Sequence, residues 1–386
     1  MTAQNPPSYF RRLTVGSARG LSVLFTVTLI VGCAAHDPAP SVTPKAKPQR
    51  PEASSQGEAG VGSGDAGGHY SALRLSGDYA GYPRLERFID KMADERGFSR
   101  DYLHGLFSQA ERKQWTLNYL SKEKPSAPPS PGAWTRYRAK FLDDRHISAG
   151  ASFWQQHAGA LQRASQEYGV SPEHIMGIMG VETIYGANLG NHRILDALTT
   201  LAYDYPRRAD YFEEELEKFL IMCRNERLDP SRPKGSYAGA MGLGQFMPSS
   251  FLDYAVDFDG DGRKNLWDAE DAIGSIANYF SGHGWKTGRP VVTRAVVSGL
   301  DVESLKTGFD ARYPLTRLAD YGINPARDFP AETSARLLKL RTDHGDDYWL
   351  GFDNFYVITR YNHSTHYAMA VHQLAEAVKA RYRDEM

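Results

Sequence analysis

The most constraining feature of this chain is an apolar segment that contains a single acid. Residues 174–186 read HIMGIMGVETIYG, and Glu182 is the only carboxylate among them. A segment that is apolar on nearly every side has to be buried inside a domain. Burial disfavours the charged form of a carboxyl and raises its pKa. The segment therefore predicts either a core Glu satisfied by an Arg or by backbone donors, or a proton donor with a raised pKa.

The same segment has an unusual glycine content for a helix. Gly177, Gly180 and Gly186 lie within it, although a glycine costs about 1 kcal/mol relative to alanine in a helix interior. Such a cost is tolerable where another backbone or a ligand comes close. Ser171 and Pro172 precede the segment, and they are typical of an N-cap and of the first helical position. We therefore expect a helix that begins at Pro172 and has a very close neighbour.

Residues 1–33 have the pattern of a lipoprotein signal peptide. Three arginines precede an apolar run over residues 21–31, which is too short to span a bilayer comfortably. The run ends in Ile-Val-Gly-Cys, which resembles a bacterial lipobox and predicts that Cys33 is lipidated. The alternative is an ordinary signal peptide with an incidental cysteine.

The residues around Cys33 predict a location. Ala34 follows it, whereas an Asp there would resemble an inner-membrane retention signal. We therefore expect a periplasmic protein anchored to the inner face of the outer membrane of a Gram-negative bacterium. The pair Arg11-Arg12 leaves twin-arginine export open beside the Sec route. Residues 34–80 contain few large apolar side chains, which predicts a disordered tether.

The remaining chain is predicted to be α+β and mainly helical. Apolar periodicity and helix caps predict helices over residues 85–92, 102–107, 151–169, 206–222, 268–282 and 364–382, besides the one that begins at Pro172. Short β-branched runs predict a small sheet inserted before the final helix: Val291-Val292-Thr293, Val296-Val297 and Tyr356-Val357-Ile358.

Composition excludes several classes of protein. The formal net charge is −1, from 45 basic and 46 acidic residues, which argues against a nucleic-acid binder held by bulk charge. Two cysteines, Cys33 and Cys223, build neither a disulfide framework nor a cysteine zinc site. With Cys33 lipidated, Cys223 is expected to be a reduced core residue. The 22 Tyr and 6 Trp are compatible with a carbohydrate cleft, although core packing also uses such residues.

An acidic loop follows the predicted central helices. Asp257, Asp259, Asp261 and Gly262 match positions 1, 3, 5 and 6 of an EF-hand loop. Carboxylates at alternate positions converge on one point and suit Ca²⁺ as hard oxygen ligands. We expect an ion that stabilises the structure, with a solvated acidic turn that binds no metal as the alternative.

The end of this loop has two candidate ligands. Position 12 is Asp268, where a bidentate Glu is usual, and Asp268 is also placed as the N-cap of the helix that follows. Asp271 lies three residues further. We favour a longer loop, in which Asp271 and the carbonyl of Arg263 complete a set with Asp257, Asp259 and Asp261.

Four motifs in order make a family resemblance specific. They are Met179-Gly180-Val181-Glu182-Thr183, the stretch SYAGAMGLGQFMPSS over residues 236–250, the acidic loop, and Arg360-Tyr361-Asn362-His363-Ser364. Together they resemble the membrane-bound lytic murein transglycosylase B family, over residues 81–382. The resemblance implies a lysozyme-like core flanked by a helical domain and a small mixed domain. It also implies cleavage of the MurNAc–GlcNAc β-1,4 bond of peptidoglycan with formation of 1,6-anhydro-muramoyl ends.

The resemblance implies a role for individual residues. Glu182 matches the catalytic acid/base, and the longer EF-hand loop of the family supports Asp271 over Asp268. The residues that match substrate-binding positions are Ser236, Gln245, Tyr279, Tyr361 and Asn362, with a weaker match for the pair Arg207 and Arg208. One departure is Leu243, where an aromatic residue is expected in some relatives.

Pattern and resemblance together predict the organisation of the whole chain. The predicted segments are a signal peptide (1–33), a tether (34–80), a helical domain (81–170), a lysozyme-like core with the acidic loop (171–288), a small β-containing domain (289–355) and a C-terminal segment that completes the core (356–386). Besides Ca²⁺, no organic cofactor is expected. The expected partners are peptidoglycan glycan strands and the outer membrane, with cell-wall synthesis or hydrolysis complexes left open and nucleic acid excluded.

A single desolvated acid favours a particular mechanism. Most glycosidases use two carboxylates, but only Glu182 lies in an apolar motif. Intramolecular attack by the muramoyl O6 needs neither a second carboxylate nor a water. Three alternatives stay open: a hydrolysing muramidase, a non-catalytic peptidoglycan-binding lipoprotein, and an EF-hand sensor.

Overall fold

The computed structural model describes residues 64–122, 130–299, 301–330 and 332–386. The predicted signal peptide with Cys33, and residues 34–63 of the predicted tether, lie outside them. The helices are α1 Pro83–Arg96, α2 Arg100–Phe107, α3 Gln114–Leu120, α4 Ala133–Arg138, α5 Asp144–Tyr168, α6 Pro172–Thr183, α7 Ile194–Asp204, α8 Ala209–Asn225, α9 Pro248–Tyr254, α10 Ala269–Gly282, α11 Leu315–Asp320, α12 Asp353–Tyr361 and α13 Thr365–Asp384. The strands are β1 His192–Arg193, β2 Lys234–Gly235, β3 Val292–Val297, β4 Arg312–Pro314, β5 Ile323–Pro325, β6 Ser334–Thr342 and β7 Gly345–Gly351.

The predicted α+β class, mainly helical with a small sheet, is confirmed. Each helix expected from periodicity or capping is present, and six further helices in the described part of the chain were not predicted: α3, α4, α7, α9, α11 and α12. Cys223 is a free, buried residue of the core, as expected. Among the described residues, no helix combines the length and apolar character needed to cross a membrane.

The core is organised around α6. All of its residues except Pro172 and Glu182 are buried, as an almost uniformly apolar helix requires. Lys379 of α13 pairs with Glu173 at the start of α6, and Tyr367 of α13 contacts Glu182 at its end. The two helices therefore run antiparallel, and α5 packs against both.

The glycines of α6 explain how closely α13 approaches. A Cβ atom on Gly177 would lie 2.5 Å from the carbonyl oxygen of Val371, and one on Gly180 would lie 2.6 Å from a Leu374 methyl. Both distances are far inside van der Waals contact. The expectation of a very close neighbour is confirmed, and the neighbour is another helix of the chain.

A five-stranded antiparallel sheet lies between α10 and α12. Its strand order is β4-β6-β7-β3-β5. Successive residues of β6 point to opposite faces, so that Leu338 and Leu340 join the main core, while Leu337 joins a second cluster of buried residues with Leu318 and Leu350. The sheet thus separates a small core from the main one. The boundaries predicted at residues 170, 288 and 355 stay predictions.

Two details of the prediction are wrong. Tyr356-Val357-Ile358 belongs to α12 instead of the sheet, because a short apolar run does not distinguish a strand from a buried helix. Residues 64–80, assigned to the tether, are packed on the helical part: Tyr79 is fully buried and hydrogen-bonds Thr200, and Tyr70 donates to Asp229 at 2.6 Å. A few tyrosines and a leucine order this segment in spite of its average composition.

The packing of α6 on α13 yields a stability test. We expect Gly177→Ala to lower the free energy of unfolding by about 1–3 kcal/mol, because the added methyl group overpacks the contact with Val371. The matched control is Gly159→Ala in α5, where a Cβ meets nothing within 4 Å. That change should raise the free energy of unfolding by up to about 1 kcal/mol. Urea denaturation measures both, and equal effects of the two substitutions would contradict the packing argument.

Candidate active site

The end of α6 presents Glu182 at a sharp turn of the chain. Three successive residues, 184–186, have positive φ angles of 53°, 54° and 91°, a conformation that only glycine adopts freely. Thr183 holds the turn, because its hydroxyl donates to the carbonyl of Leu243 at 3.0 Å and accepts from the N–H of Gly186 at 3.1 Å. The buried Leu243 therefore fastens the 236–250 stretch to α6 through its backbone.

The carboxyl of Glu182 lies in a poorly hydrated environment without a cation. Burial raises its pKa to about 7, while a hydrogen bond from the Tyr367 hydroxyl to Oε1, 2.5 Å long, works in the opposite direction. Among the described residues, no Lys, Arg or His forms an ion pair with it. A carboxyl with this pKa is largely protonated at slightly acidic pH, and it is therefore suited to donate a proton and to take it back.

Tyrosines surround this carboxyl. Tyr361 donates to the carbonyl of Gly244 at 2.5 Å, and its ring lies 4.8 Å from that of Tyr279. The hydroxyl of Tyr279 donates to the carbonyl of Arg360 at 2.7 Å. Burial raises the pKa of Tyr361 and of Tyr137, and the nearby charge of Glu182 adds to the effect. The structure therefore brings Tyr279 and Tyr361 together, with Tyr361 beside Glu182.

Ser236 and Gln245 shape the glycine-rich loop. The Ser236 hydroxyl oxygen accepts from the backbone N–H of Ala240 at 2.9 Å, which leaves its proton available to another acceptor. Gln245 has a positive φ of 51°, and its side-chain amide donates to the carbonyls of Gly242 at 2.9 Å and Leu189 at 3.3 Å. Its side-chain oxygen remains available as an acceptor. Both residues position the loop, and each retains one polar group for a ligand.

Asn362 and the arginine pair lie in different surroundings. The side-chain oxygen of Asn362, next to Tyr361, is buried without a hydrogen-bond partner within the described part of the chain. Such an unsatisfied atom is costly unless a ligand or water completes it. Arg207 is exposed in the short turn before α8, and the guanidinium of Arg208 lies 4.2 Å from the centre of the Tyr211 ring. No described contact joins the arginine pair to Glu182.

The acidic loop gathers three carboxylates. Ligand atoms of Asp257, Asp259 and Asp271 lie within 4.8 Å of one another. Asp271 is buried, and its two oxygens accept from the N–H groups of Phe258 at 2.6 Å and Asn265 at 2.7 Å. Three carboxylates so close together repel one another, and a hard cation relieves this repulsion with ligands of the type that Ca²⁺ prefers. The donor set fits calcium.

The two candidates for the end of the loop have different roles. Asp268 caps α10, because its side chain accepts from the N–H groups of Glu270 and Asp271. Asp271, in contrast, faces back into the loop. The carboxylate of Asp261 accepts from the N–H of Arg263 at 2.8 Å, and neither residue belongs to the group of three.

Sequence reasoning missed two features of the site, the partner of Glu182 and an exposed aromatic pair. Tyr367, the hydrogen-bond partner of Glu182, lies in α13 just beyond the Arg360–Ser364 motif, and that proximity was the available signal. Trp115 is half exposed and stacks on Tyr119 with ring centres 5.3 Å apart; this pair also packs on Tyr237, next to Ser236.

Glu182 is also not the only acid with a raised pKa. Burial raises the pKa of Glu215, whose carboxylate accepts from the backbone N–H of Ser249 at 2.9 Å. Ser249 lies in the first turn of α9, a helix without an N-cap side chain. Glu215 therefore replaces the missing cap, which is a structural role.

Comparison with known proteins identifies the family. Residues 81–376 match the family model described as the transglycosylase SLT domain. Membrane-bound lytic murein transglycosylase B of Escherichia coli (strain K12) is 50% identical over 314 residues, which are 80% of this chain and 86% of that protein.

Solved structures agree with this assignment. The E. coli lytic transglycosylase Slt35 was solved in complexes with bulgecin A and with calcium; each has a TM-score of 0.76, 50% identity, and coverage of 80% of this chain and 97% of that chain. SltB3 of Pseudomonas aeruginosa, in complex with NAG-anhNAM-pentapeptide, has a TM-score of 0.67 and 28% identity, with coverage of 77% and 79%.

A helical scaffold that presents a buried carboxyl with a raised pKa among tyrosines defines the class as a lysozyme-like glycan-cleaving enzyme. The chain belongs to the transglycosylase SLT family, and it is an enzyme of the lytic transglycosylase type.

The hydrogen bond between Tyr367 and Glu182 can be tested through a pKa. The Tyr367 hydroxyl stabilises the charged carboxylate, so that Tyr367→Phe should raise the pKa of Glu182 above its value of about 7, by about 1. At pH 7.5 the variant then holds the protonated form in a larger share of molecules. Titration followed by ¹³C NMR of labelled glutamate measures the change.

The matched control is Tyr185→Phe. The hydroxyl of Tyr185 is also buried, but it has no hydrogen-bond partner within the described residues. This substitution should leave the pKa of Glu182 unchanged, and an equal shift in both variants would refute a specific role of Tyr367.

Proposed function

We propose that the chain cleaves the β-1,4 bond between MurNAc and GlcNAc in peptidoglycan and leaves a 1,6-anhydro-muramoyl end. The observation that carries the proposal is the raised pKa of Glu182: burial raises it to about 7, and Tyr367 is the hydrogen-bond partner of the carboxyl. The E. coli relative is named as a lytic murein transglycosylase, and a structure of SltB3 holds NAG-anhNAM-pentapeptide. Both names support the substrate class.

The reaction uses one carboxyl twice. Protonated Glu182 donates its proton to the bridging oxygen as the glycosidic bond breaks. The 2-acetamido group of the muramoyl residue stabilises the positive charge at C1. The Glu182 carboxylate then takes the proton of the muramoyl O6 while that oxygen forms a bond to C1 of the same ring. A nucleophile held in the same ring has a high effective concentration, and therefore no water enters the reaction.

The polar groups around Glu182 orient the sugar in this proposal. The free carbonyl oxygen of Gln245 and the buried oxygen of Asn362 accept hydrogen bonds from sugar hydroxyl or amide groups. The Ser236 hydroxyl donates one. Tyr279 and Tyr361 form an aromatic wall of the kind on which sugar rings pack.

More distant groups extend the binding surface. The exposed Trp115 and Tyr119 provide a stacking surface next to Ser236 through their contact with Tyr237. The arginine pair, Arg207 and Arg208, offers positive charge to carboxylates of the peptide stems.

Hydrolysis on the same scaffold would require a second carboxylate to activate water. The other buried glutamates and aspartates of the described chain have assigned partners. Asp196 pairs with Lys113 and Arg193, and Glu217 pairs with Lys91 and Arg96. Glu215 caps α9. Because these acids already have partners, attack by the muramoyl O6 within the same ring is favoured over activation of a water.

Digestion of purified peptidoglycan tests activity and reaction type together. Mass analysis of the muropeptides should show 1,6-anhydro ends, which are lighter by one water than the reducing ends of a hydrolase. Glu182→Gln keeps the shape of the side chain but cannot transfer the proton, and should lower the rate by at least about 10²–10⁴-fold.

Two results would contradict the proposal. Reducing ends would indicate a hydrolysing muramidase, and unchanged lysis by Glu182→Gln would indicate a binding protein or another active site. Glu215→Gln is the matched control, since it changes a second buried acid with a raised pKa. Its rate should stay within about tenfold of the unmodified chain once folding is verified by circular dichroism.

We also propose that the acidic loop binds one Ca²⁺ ion with a structural role. Asp257, Asp259 and Asp271 supply the carboxylates that lie together. The carboxylate of Asp261 and the carbonyl of Arg263 complete the set through a small rearrangement of the exposed turn. The complex of Slt35 with calcium supports the choice of ion. The bound ion joins the loop to α10 through Asp271, and a stabilising role is therefore favoured over that of a sensor.

Thermal unfolding with and without calcium distinguishes the two candidate ends of the loop. Calcium should raise the Tm of the unmodified chain, because it binds only the folded state. Asp271→Asn should abolish this rise. Asp268→Asn should keep it, with a lower starting stability of at most about 1 kcal/mol from the weakened cap. The opposite pattern would assign the site to a loop of ordinary length.

The proposed location rests on the predicted signal peptide, residues 1–33, and on the name of the E. coli relative. We propose that Cys33, outside the described residues, carries the lipid that anchors the chain to the inner face of the outer membrane. The E. coli relative is called membrane-bound. In this position the enzyme reaches glycan strands from the membrane side, and cell-wall synthesis or hydrolysis complexes are its natural protein partners.

A further inference from the structure

A second group of metal-ligating side chains lies at the opposite end of α6 from Glu182. Ligand atoms of His174, His372 and Glu376 lie within 4.8 Å of one another. The three residues line a cavity of about 730 Å³ that is open to solvent between α6, α13 and the sheet. None of them belongs to the site of bond cleavage or to the acidic loop.

The spacing of the two imidazoles matches a metal complex. Nε2 of His174 lies 3.2 Å from Nδ1 of His372. Two nitrogen ligands at the usual distance from a tetrahedral Zn²⁺ ion are about 3.3 Å apart. His372 and Glu376 are four residues apart in α13 and therefore share one face of the helix. The ligands come from two helices that the glycines of α6 hold in close contact.

The ring of His174 is held by a hydrogen bond on the side that faces away from His372. Ser171 lies at the N-cap position of α6, yet its side chain makes no cap hydrogen bond. Its hydroxyl lies 2.7 Å from Nδ1 of His174 instead. Ligating histidines commonly donate the other ring N–H to such a partner, which fixes the tautomer.

The neighbouring charges leave one carboxylate without a partner. Lys379 is paired with Glu173 at 2.6 Å, and Arg294 lies on the Trp349 ring near Asp347. Within the described residues, Glu376 forms no ion pair or hydrogen bond, and it is exposed at the mouth of the cavity. Its charge is available to offset that of a cation.

We propose that His174 Nε2, His372 Nδ1 and the Glu376 carboxylate bind one divalent transition-metal ion of the Zn²⁺ type. Two imidazoles and one carboxylate select such an ion over Ca²⁺, which prefers oxygen ligands. The bound ion joins α6 to α13 about 12 Å along α6 from Glu182. It therefore fixes the register of the two helices that carry the Glu182–Tyr367 hydrogen bond.

Zinc binding to the purified chain tests the proposal. Equilibrium dialysis against Zn²⁺, with calcium in excess to occupy the acidic loop, should give one Zn²⁺ per chain. His372→Asn should abolish this binding, and Glu376→Gln, a change at an exposed position that should not disturb folding, should weaken it at least tenfold. Zn²⁺ should also raise the Tm of the unmodified chain and not that of His372→Asn. Co²⁺ in place of Zn²⁺ should give the visible absorption of a tetrahedral complex.

The matched control is His366→Asn. His366 lies in the same helix, is half buried, and packs on Trp134 and Tyr137. This variant should bind Zn²⁺ like the unmodified chain. Absence of stoichiometric Zn²⁺, or equal binding by His372→Asn, would overturn the proposal and leave the two histidines as a hydrogen-bonded core pair. Loss of Zn²⁺ on Asp271→Asn would assign the ion to the acidic loop.

Discussion

The close packing of α6 on α13 is the constraint on which the site depends. Without side chains at Gly177 and Gly180, the two helices approach until backbone and methyl groups are in contact. This approach brings the Tyr367 hydroxyl within 2.5 Å of the Glu182 carboxyl. Burial of the carboxyl raises its pKa to about 7, and the hydrogen bond from Tyr367 opposes this rise. The packing of the two helices therefore decides which group hydrogen-bonds the acid.

The other parts of the site are tied to this helix pair through backbone carbonyls. Thr183 binds the carbonyl of Leu243, and Tyr361 binds that of Gly244. The glycine-rich loop is thus held between α6 and α12. Because these bonds use main-chain atoms, the side chains of Ser236 and Gln245 keep polar groups free for a substrate. Among the residues that the structure describes, the acidic loop has no direct contact of this kind with the helix pair. Asp271 of α10 holds the loop by accepting hydrogen bonds from its backbone N–H groups.

Much of the fold followed from local patterns. The start of α6 at Pro172, the apolar content of α6 and the cap formed by Asp268 depend on neighbours in sequence, and periodicity and capping rules describe such effects well. The mistakes have the opposite origin. The run around Val357 is helical because it packs on the main core, and residues 64–80 are ordered by contacts of Tyr70 and Tyr79 with distant helices.

By itself the sequence determined that an acid lies in an apolar helix, that an acidic loop precedes another helix, and that close neighbours are required at the glycines. The tertiary structure alone decided which groups meet. Tyr367 is 185 positions away from Glu182, and His372 is 198 positions away from His174. The identity of a contact over such separations depends on how helices pack in space, because the energy of packing is shared among many residues and leaves no local pattern in the chain.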